Sequence, residues 1–216
     1  MTTSDTDAWY AMPVLSGTLI RLEPLTVEHA VGYLAAAGTG ADADEVFRWL
    51  NPSGTLGAPR DVDEARAHIL TALAARARGD RFPYAQIDLV SGGVAGTTSF
   101  YEVAPALRAI AIGHTWLGRR WWRTGHNTDS KLLMLSHAFD TLAAARVVWH
   151  TDIFNTRSQD AIARLGATRE GVVRKHRIRR DGSWRDTVQY SMLDDEWPAV
   201  RATLQQRLVG VRNSTP

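Results

Sequence analysis

Cysteine is absent from the 216 residues of this chain. Its absence excludes a thiol nucleophile, a disulfide framework and a cysteine-ligated zinc, and no metal is expected. Long apolar runs are missing too: none approaches the roughly 18–20 residues that cross a bilayer, so no membrane partner is expected. The opening MTTSDTDAWYAMP has no basic region followed by an apolar core. No secretory signal is therefore read, and a cytoplasmic protein is expected. Charge of one sign is scarce. Lys and Arg number 25 against 23 Asp and Glu, a formal +2 that is too small to imply nucleic acid as a partner. Repeats and low-complexity segments are absent as well.

What remains is a chain long enough to bury a core of its own, read as one domain over residues 13–210 behind a polar, mobile tail over residues 1–12. Apolar residues at 19, 20, 22 and 25 predict a first strand over residues 17–25. Thr26 caps a helix running to about Ala37, and residues 38–44 read as a loop. Residues 46–50 form a short apolar turn, and Gly and Pro punctuate 51–59. Asp61 or Asp63 caps a helix ending near Gly79. Residues 83–90 and 94–103 read as a hairpin around Ser91-Gly92-Gly93. Residues 146–152 are a strand, and 158–165 a helix ending at Gly166. Residues 168–179 and 185–193 form a hairpin around Asp181-Gly182, before a last helix over residues 196–208. This order suits a mixed, mostly antiparallel sheet flanked by helices.

Residues 109–142 are the most informative stretch. AIAIGHTWL reads as a strand over 109–117, and apolar positions 132, 135, 138, 139 and 142 read as a helix from about Thr128. The loop between them holds Arg119, Arg120, Arg123 and Gly125. A helix start presents unpaired N–H groups and the positive end of the macrodipole, and glycine lets a ligand approach the backbone. Phosphate binding is the functional reading; an ordinary strand–helix connection with solvated arginines accounts for the same residues equally well.

Trp116-Leu117, then Trp122, Gly125, Asn127, Thr128 and Lys131, resemble motif A of the GNAT superfamily of acyl-CoA N-acyltransferases. The branch most resembled is that of the ribosomal-protein N-terminal acetyltransferases. The family signature is Q/R-x-x-G-x-G/A, and Trp122, Gly125 and Asn127 fill its three places, so the middle glycine alone is kept. Asn155-x-x-Ser158 followed by Arg164-Leu-Gly-Ala167 is a second match, and residues 170–197 are a third. The resemblance spans roughly residues 17–208 and implies the GNAT fold, an α/β (α+β) architecture. That fold has a mixed, mostly antiparallel seven-stranded sheet whose central parallel strands, here 109–117 and 146–152, splay apart to admit acyl-CoA.

The resemblance also implies the roles. Backbone groups of Thr115, Trp116 and Leu117 would pair with the pantetheine arm. The diphosphate would lie on Trp122, Arg123, Thr124, Gly125, His126, Asn127 and Thr128, with Asp129 pointing outward. Asn155 would bond the pantetheine and Ser158 would stand near the thiol, although both residue types also cap helices well. The usual tyrosine acid is replaced by Ile162 and the usual glutamate base by Ala111, so Ser158 is the expected acid. His114 titrates near neutrality and is the replacement base, although strand alternation sets it on the face of Ile110 and Ile112, as a core or interface histidine would be. Glu102, His150 and Asp152 are further candidates. Trp49, Tyr84, Phe100, Tyr101 and Trp184 are aromatic residues for an acceptor cleft or for the core. The basic run 174–180 reads as a solvated hairpin, or as a binder of an acidic acceptor or of the adenosine phosphate.

The function implied is direct transfer of an acetyl group from acetyl-CoA to a primary amine, with strand amides holding the developing oxyanion. A GNAT-fold acyl-CoA-binding sensor without turnover is the alternative, motivated by the two missing proton-transfer groups. A homodimer through the late hairpin is compatible with the resemblance. A lysine side chain of pKa about 10.4 is neutral only about once in 2,500 at pH 7, costing about 4.6 kcal/mol, against about 1.4 kcal/mol for an α-amine. With no dedicated base, an α-amine is the acceptor expected.

Overall fold

The computed structural model describes residues 3–50 and 57–213. Its frame is one eight-stranded sheet of order β1-β2-β3-β4-β5-β6-β8-β7. The strands are β1 (Leu15–Ser16), β2 (Ile20–Pro24), β3 (Arg81–Asp88), β4 (Val94–Ala104), β5 (Ala109–Leu117), β6 (Arg146–Asp152), β7 (Thr168–Ile178) and β8 (Trp184–Leu193). Every pairing is antiparallel except β5 with β6. The two-residue β1 is the strand beyond the seven expected. The helices are α1 (Thr3–Ala8), α2 (Ala30–Ala37), α3 (Gly40–Phe47), α4 (Val62–Ala77), α5 (His126–Ser136), α6 (Thr156–Arg164) and α7 (Trp197–Asn213). None is long and apolar enough to cross a membrane among the described residues.

Several local signals act as their chemistry requires. Asp61 caps α4 by accepting from the Glu64 amide at 2.8 Å. The loop expected over 38–44 is instead part of α3, whose Ala43, Val46 and Phe47 are buried. Short-range polarity hid that helix, and burial against the sheet supports it. The stretch read as a tail carries α1, and Trp9 behind it is buried in the core. Most of the 51–59 punctuation lies outside the described residues.

Helix α5 begins two residues earlier than its apolar spacing marks, and it widens into a π turn at His137–Thr141. Asp129 was expected to point outward. It is buried, and its Oδ2 accepts from the backbone amides of Thr18, Leu19 and Ile20 at 2.8, 2.6 and 3.1 Å. Three free amides at the β1–β2 turn draw the carboxylate inward more strongly than water does. Gly17 is required beside it, because a Cβ there would stand 2.5 Å from Oδ2.

Lys131, one turn along, is buried with no carboxylate beside it. Its Nζ donates to Thr98 Oγ1 of β4 at 2.8 Å and to Thr115 Oγ1 of β5 at 2.9 Å. Burial lowers its pKa to about 7.

Two outcomes follow for stability. Asp129→Ala strands three amides and is expected to lower stability by about 2–4 kcal/mol in urea unfolding; an unchanged midpoint would show that the amides find other acceptors. Lys131→Met removes a buried charge and is expected to stabilise the fold at pH 7 by about 1–4 kcal/mol. Because the folded pKa is depressed from 10.5 to about 7, the unfolded chain binds the extra proton between those values. Wild-type stability therefore rises with pH across that window and the variant's does not. Parallel curves for the two proteins would refute this.

Candidate active site

The site begins where a ladder ends. Strands β5 and β6 pair at Ala109 with Arg146, Ile110 with Val147 and Ala111 with Val148, and no further. From Ile112 to Leu117 the β6 side of β5 carries no strand partner. Its other edge stays bound to β4, with register shifts between the partners of Thr97 and Ser99. His114 lies in that irregularity with φ +48°. Unpaired backbone donors and acceptors along one strand edge are a ready surface for an extended, amide-bearing chain.

The gap opens toward the loop that leads into α5. Arg123 and Gly125 both take positive φ, 62° and 90°, and turn the chain into the helix. The first intrahelical bond runs from the Asp129 amide to the Gly125 carbonyl at 2.9 Å, so the amides of His126, Asn127 and Thr128 precede it. His126 is held at both ring nitrogens, by Thr124 Oγ1 at 2.8 Å and by Asp88 Oδ1 of β3 at 3.0 Å. The carboxylate of Asp129 is engaged by the β1–β2 amides and not by those of this helix start.

Trp122 fills the first place of the motif in an unusual way. Its Nε1 donates to the Leu117 carbonyl at 2.7 Å. The guanidiniums of Arg119 and Arg157 sit over its ring, 4.4 and 3.9 Å from the centroid. Arg157 also pairs with Glu45 of α3 at 2.9 Å, and Arg119 with Asp42 at 3.2 Å. The Trp116 carbonyl accepts from Gln86 Nε2 at 3.0 Å, and its ring packs on Tyr33 and Phe47. Thr115 is held by Lys131, as described. Asn155 caps α6, its Oδ1 accepting from the Ser158 amide at 3.1 Å, and it lines a cavity of about 410 Å³ with Trp49, Phe154 and Arg157. Ser158 is half-buried in the first turn of α6.

On the other side of the gap the strands carry a polar cluster. Regular alternation sets His114 with Ile110 and Ile112, which are core residues. The irregularity at His114 breaks that alternation, and its ring lies against Tyr101 at 5.4 Å instead. Gly113 makes this possible, since a Cβ there would stand 2.7 Å from the Tyr101 ring. Tyr101 Oη meets His150 Nδ1 at 2.9 Å, and His150 Nε2 meets Gln189 Oε1 at 3.3 Å. Surrounding protein, and then the charges of Arg81, Arg177 and Arg185, hold the His114 imidazole well below its ordinary pKa, so it is neutral at pH 7. Burial and the charge of Glu102 raise the Tyr101 phenol, which stays protonated.

Other candidates fall elsewhere. Tyr84 and Phe100 are buried against each other in the core. Trp184 is exposed on the late hairpin. Asp152 is held by Arg179 through bonds of 2.8 and 2.9 Å and by the Phe154 amide at 2.9 Å. Ala111 and Ile162 are buried apolar side chains. The Tyr101–His150 pair has no signal in the sequence, because its members lie 49 residues apart and meet only through the sheet. Among the described residues no group of three metal-ligating side chains forms.

Known proteins share this architecture. A GCN5-related N-acetyltransferase from Brucella melitensis superposes with a TM-score of 0.83 at 31% identity, over 91% of this chain and 85% of that one. Mycobacterium smegmatis RimJ, solved in complex with CoA-disulfide, gives 0.74 at 21% identity over 93% and 96%, a likeness of fold. The uS5-alanine N-acetyltransferase of Escherichia coli K12 is 25% identical over 121 residues, 56% of this chain. The match spans 61% of the length of that relative. The model of the acetyltransferase (GNAT) domain matches residues 20–168, which run from the first long strand to the start of β7 and include both sides of the gap. This chain belongs to the GNAT family of acetyltransferases.

Proposed function

We propose that the chain moves an acetyl group from acetyl-CoA directly to a primary amine, either the α-amine of a peptide or protein or that of a small molecule. The observation that carries this reading is the freed edge of β5 beside a helix that starts on Gly125. Bound there, acetyl-CoA supplies the acetyl group as an activated thioester. The edge of Thr115, Trp116 and Leu117 and the side chain of Asn155 hold the pantetheine arm. The carbonyls of Trp116 and Leu117 already have side-chain donors, so the remaining backbone groups serve. Trp122 steadies the loop, and the amides from Arg123 to Thr128 receive the diphosphate.

The proton steps fall to residues on either side of the gap. Ser158 Oγ, in the first turn of α6, is the donor to the departing sulfur, favoured by the positive helix end. The neutral imidazole of His114 accepts the proton released by the amine. With its basicity held low first by the surrounding protein and then by nearby guanidiniums, it suits an acceptor that is already partly neutral, which an α-amine is.

Burial of Ala111 and Ile162 where family members place proton-transfer groups favours a second reading, a sensor that binds acyl-CoA without turnover. Thiol release with a panel of amines separates the two, because the sensor binds acetyl-CoA tightly and releases none.

Gly125→Glu places a carboxylate at the helix start and is expected to weaken acetyl-CoA binding at least tenfold by calorimetry; unchanged affinity would remove the diphosphate from this loop. At pH 7, kcat/KM for an α-amino peptide is expected to exceed that for a blocked lysine by about two-hundredfold, the ratio of their neutral fractions. Equal rates would mean that a stronger base operates.

A further inference from the structure

The face of β8 and β7 that bears Arg185 and Arg177 carries positive charge that the acetyl transfer just proposed does not use. Arg177 of β7 stands directly across from Arg185 of β8. Like charges opposed across a sheet destabilise it. Arg177 is exposed and has no carboxylate partner among the described residues. Arg185 is only 7% exposed, and its Nε has no hydrogen-bond partner. The nearest carboxylate, on Asp152, is 3.8 Å from that Nε and is already engaged by Arg179 and the Phe154 amide. Two residues along the same face of β8, the Thr187 hydroxyl is fully buried and also unpartnered.

A buried guanidinium whose Nε lacks a hydrogen-bond acceptor, and whose charge meets Asp152 only at 3.8 Å, is incompletely satisfied, and an unpartnered hydroxyl on the same strand face adds to that cost. Both vacant donors lie on the strand face that holds Gln189, which meets His150 of the Tyr101 cluster. The charges of Arg177 and Arg185 reach His114 and Tyr101, so the donors and the proposed proton acceptor share one field. Glu102, beside His150, is the acidic group of this face that no arginine holds.

We infer that Arg185, Thr187 and Arg177 form a subsite for a carboxylate carried by the acceptor a few bonds from its amine. The inference rests on the acetyltransferase reading and names the acceptor class for the same site. A planar carboxylate matches the guanidinium fork, and the hydroxyl supplies a further donor. Held there, the acceptor presents its amine toward His114 and the thioester gap. Two sources carry this chemistry: a peptide with an acidic residue next to its N-terminus, and a small amino acid.

The test uses the full chain with acetyl-CoA and two matched pairs of acceptors. One pair is a tripeptide with aspartate in second place and its asparagine counterpart; the other is β-alanine and its amide. Rates are expressed per neutral amine. The carboxylate-bearing member of one pair is expected to give at least tenfold higher kcat/KM, and the pair that does so identifies the source. Arg177→Gln, at an exposed position, and Arg185→Lys, which keeps the charge without the fork, are each expected to reduce that preference to less than threefold. Equal rates within both pairs, or a preference that survives both substitutions, overturns the subsite. If no amine is acetylated, calorimetry with succinate and succinamide on the acetyl-CoA-loaded protein decides. Succinate binding weakened tenfold by Arg177→Gln upholds the subsite. Failure of succinate to bind while acetyl-CoA does overturns it and leaves the coenzyme reading standing.

Discussion

Past Ala111 and Val148 the backbones of β5 and β6 no longer serve each other as hydrogen-bond partners. Two central strands of a sheet seldom relinquish their bonds, because unpaired amides and carbonyls are costly unless water or a ligand takes them. Each strand is instead fastened on its far side, β5 to β4 and β6 to β8, so the parting is held open by the sheet itself. The loop into α5 follows the freed end of β5, and Tyr101 of β4 links the rings of His114 and His150 beside it.

Polar contacts buried behind the gap fix its walls. Lys131 joins the helix of the coenzyme loop to β4 and β5, His126 joins the same helix to β3, and Asp129 joins it to the β1–β2 turn. None of these three side chains faces the space where chemistry is proposed. They orient the first turn of α5, whose amides do. The inward turn of Asp129 ties this helix start to the β1–β2 turn and occupies its own carboxylate with three backbone amides.

Much of this was legible in the sequence. Strands 109–117 and 146–152 were readable to the residue, because both are short apolar runs between clear breaks. The loop signature and the Asn155–Ser158 spacing both fall at helix starts, with Gly125 before α5 and Asn155 before α6. Where reading failed, a non-local or irregular feature decided. His114 was set on the wrong face because alternation assumes a regular strand, and an irregular residue reverses it. Asp129 was turned the wrong way because its partners lie 109 to 111 residues earlier in the chain. Helix α3 was taken for a loop because its polar first turn hides the buried Ala43, Val46 and Phe47. That Arg185 Nε and the Thr187 hydroxyl lack hydrogen-bond partners is visible only once their neighbours are in place.

The indole of Trp122 lies under two guanidiniums, one of which also grips Glu45 on α3. Coenzyme loop, α6 and α3 are thereby clamped at a single ring. Swinging α3 outward would break the Glu45 pair and release the guanidinium that it holds against the indole. Displacing any one of these three segments would disturb its hold on the other two.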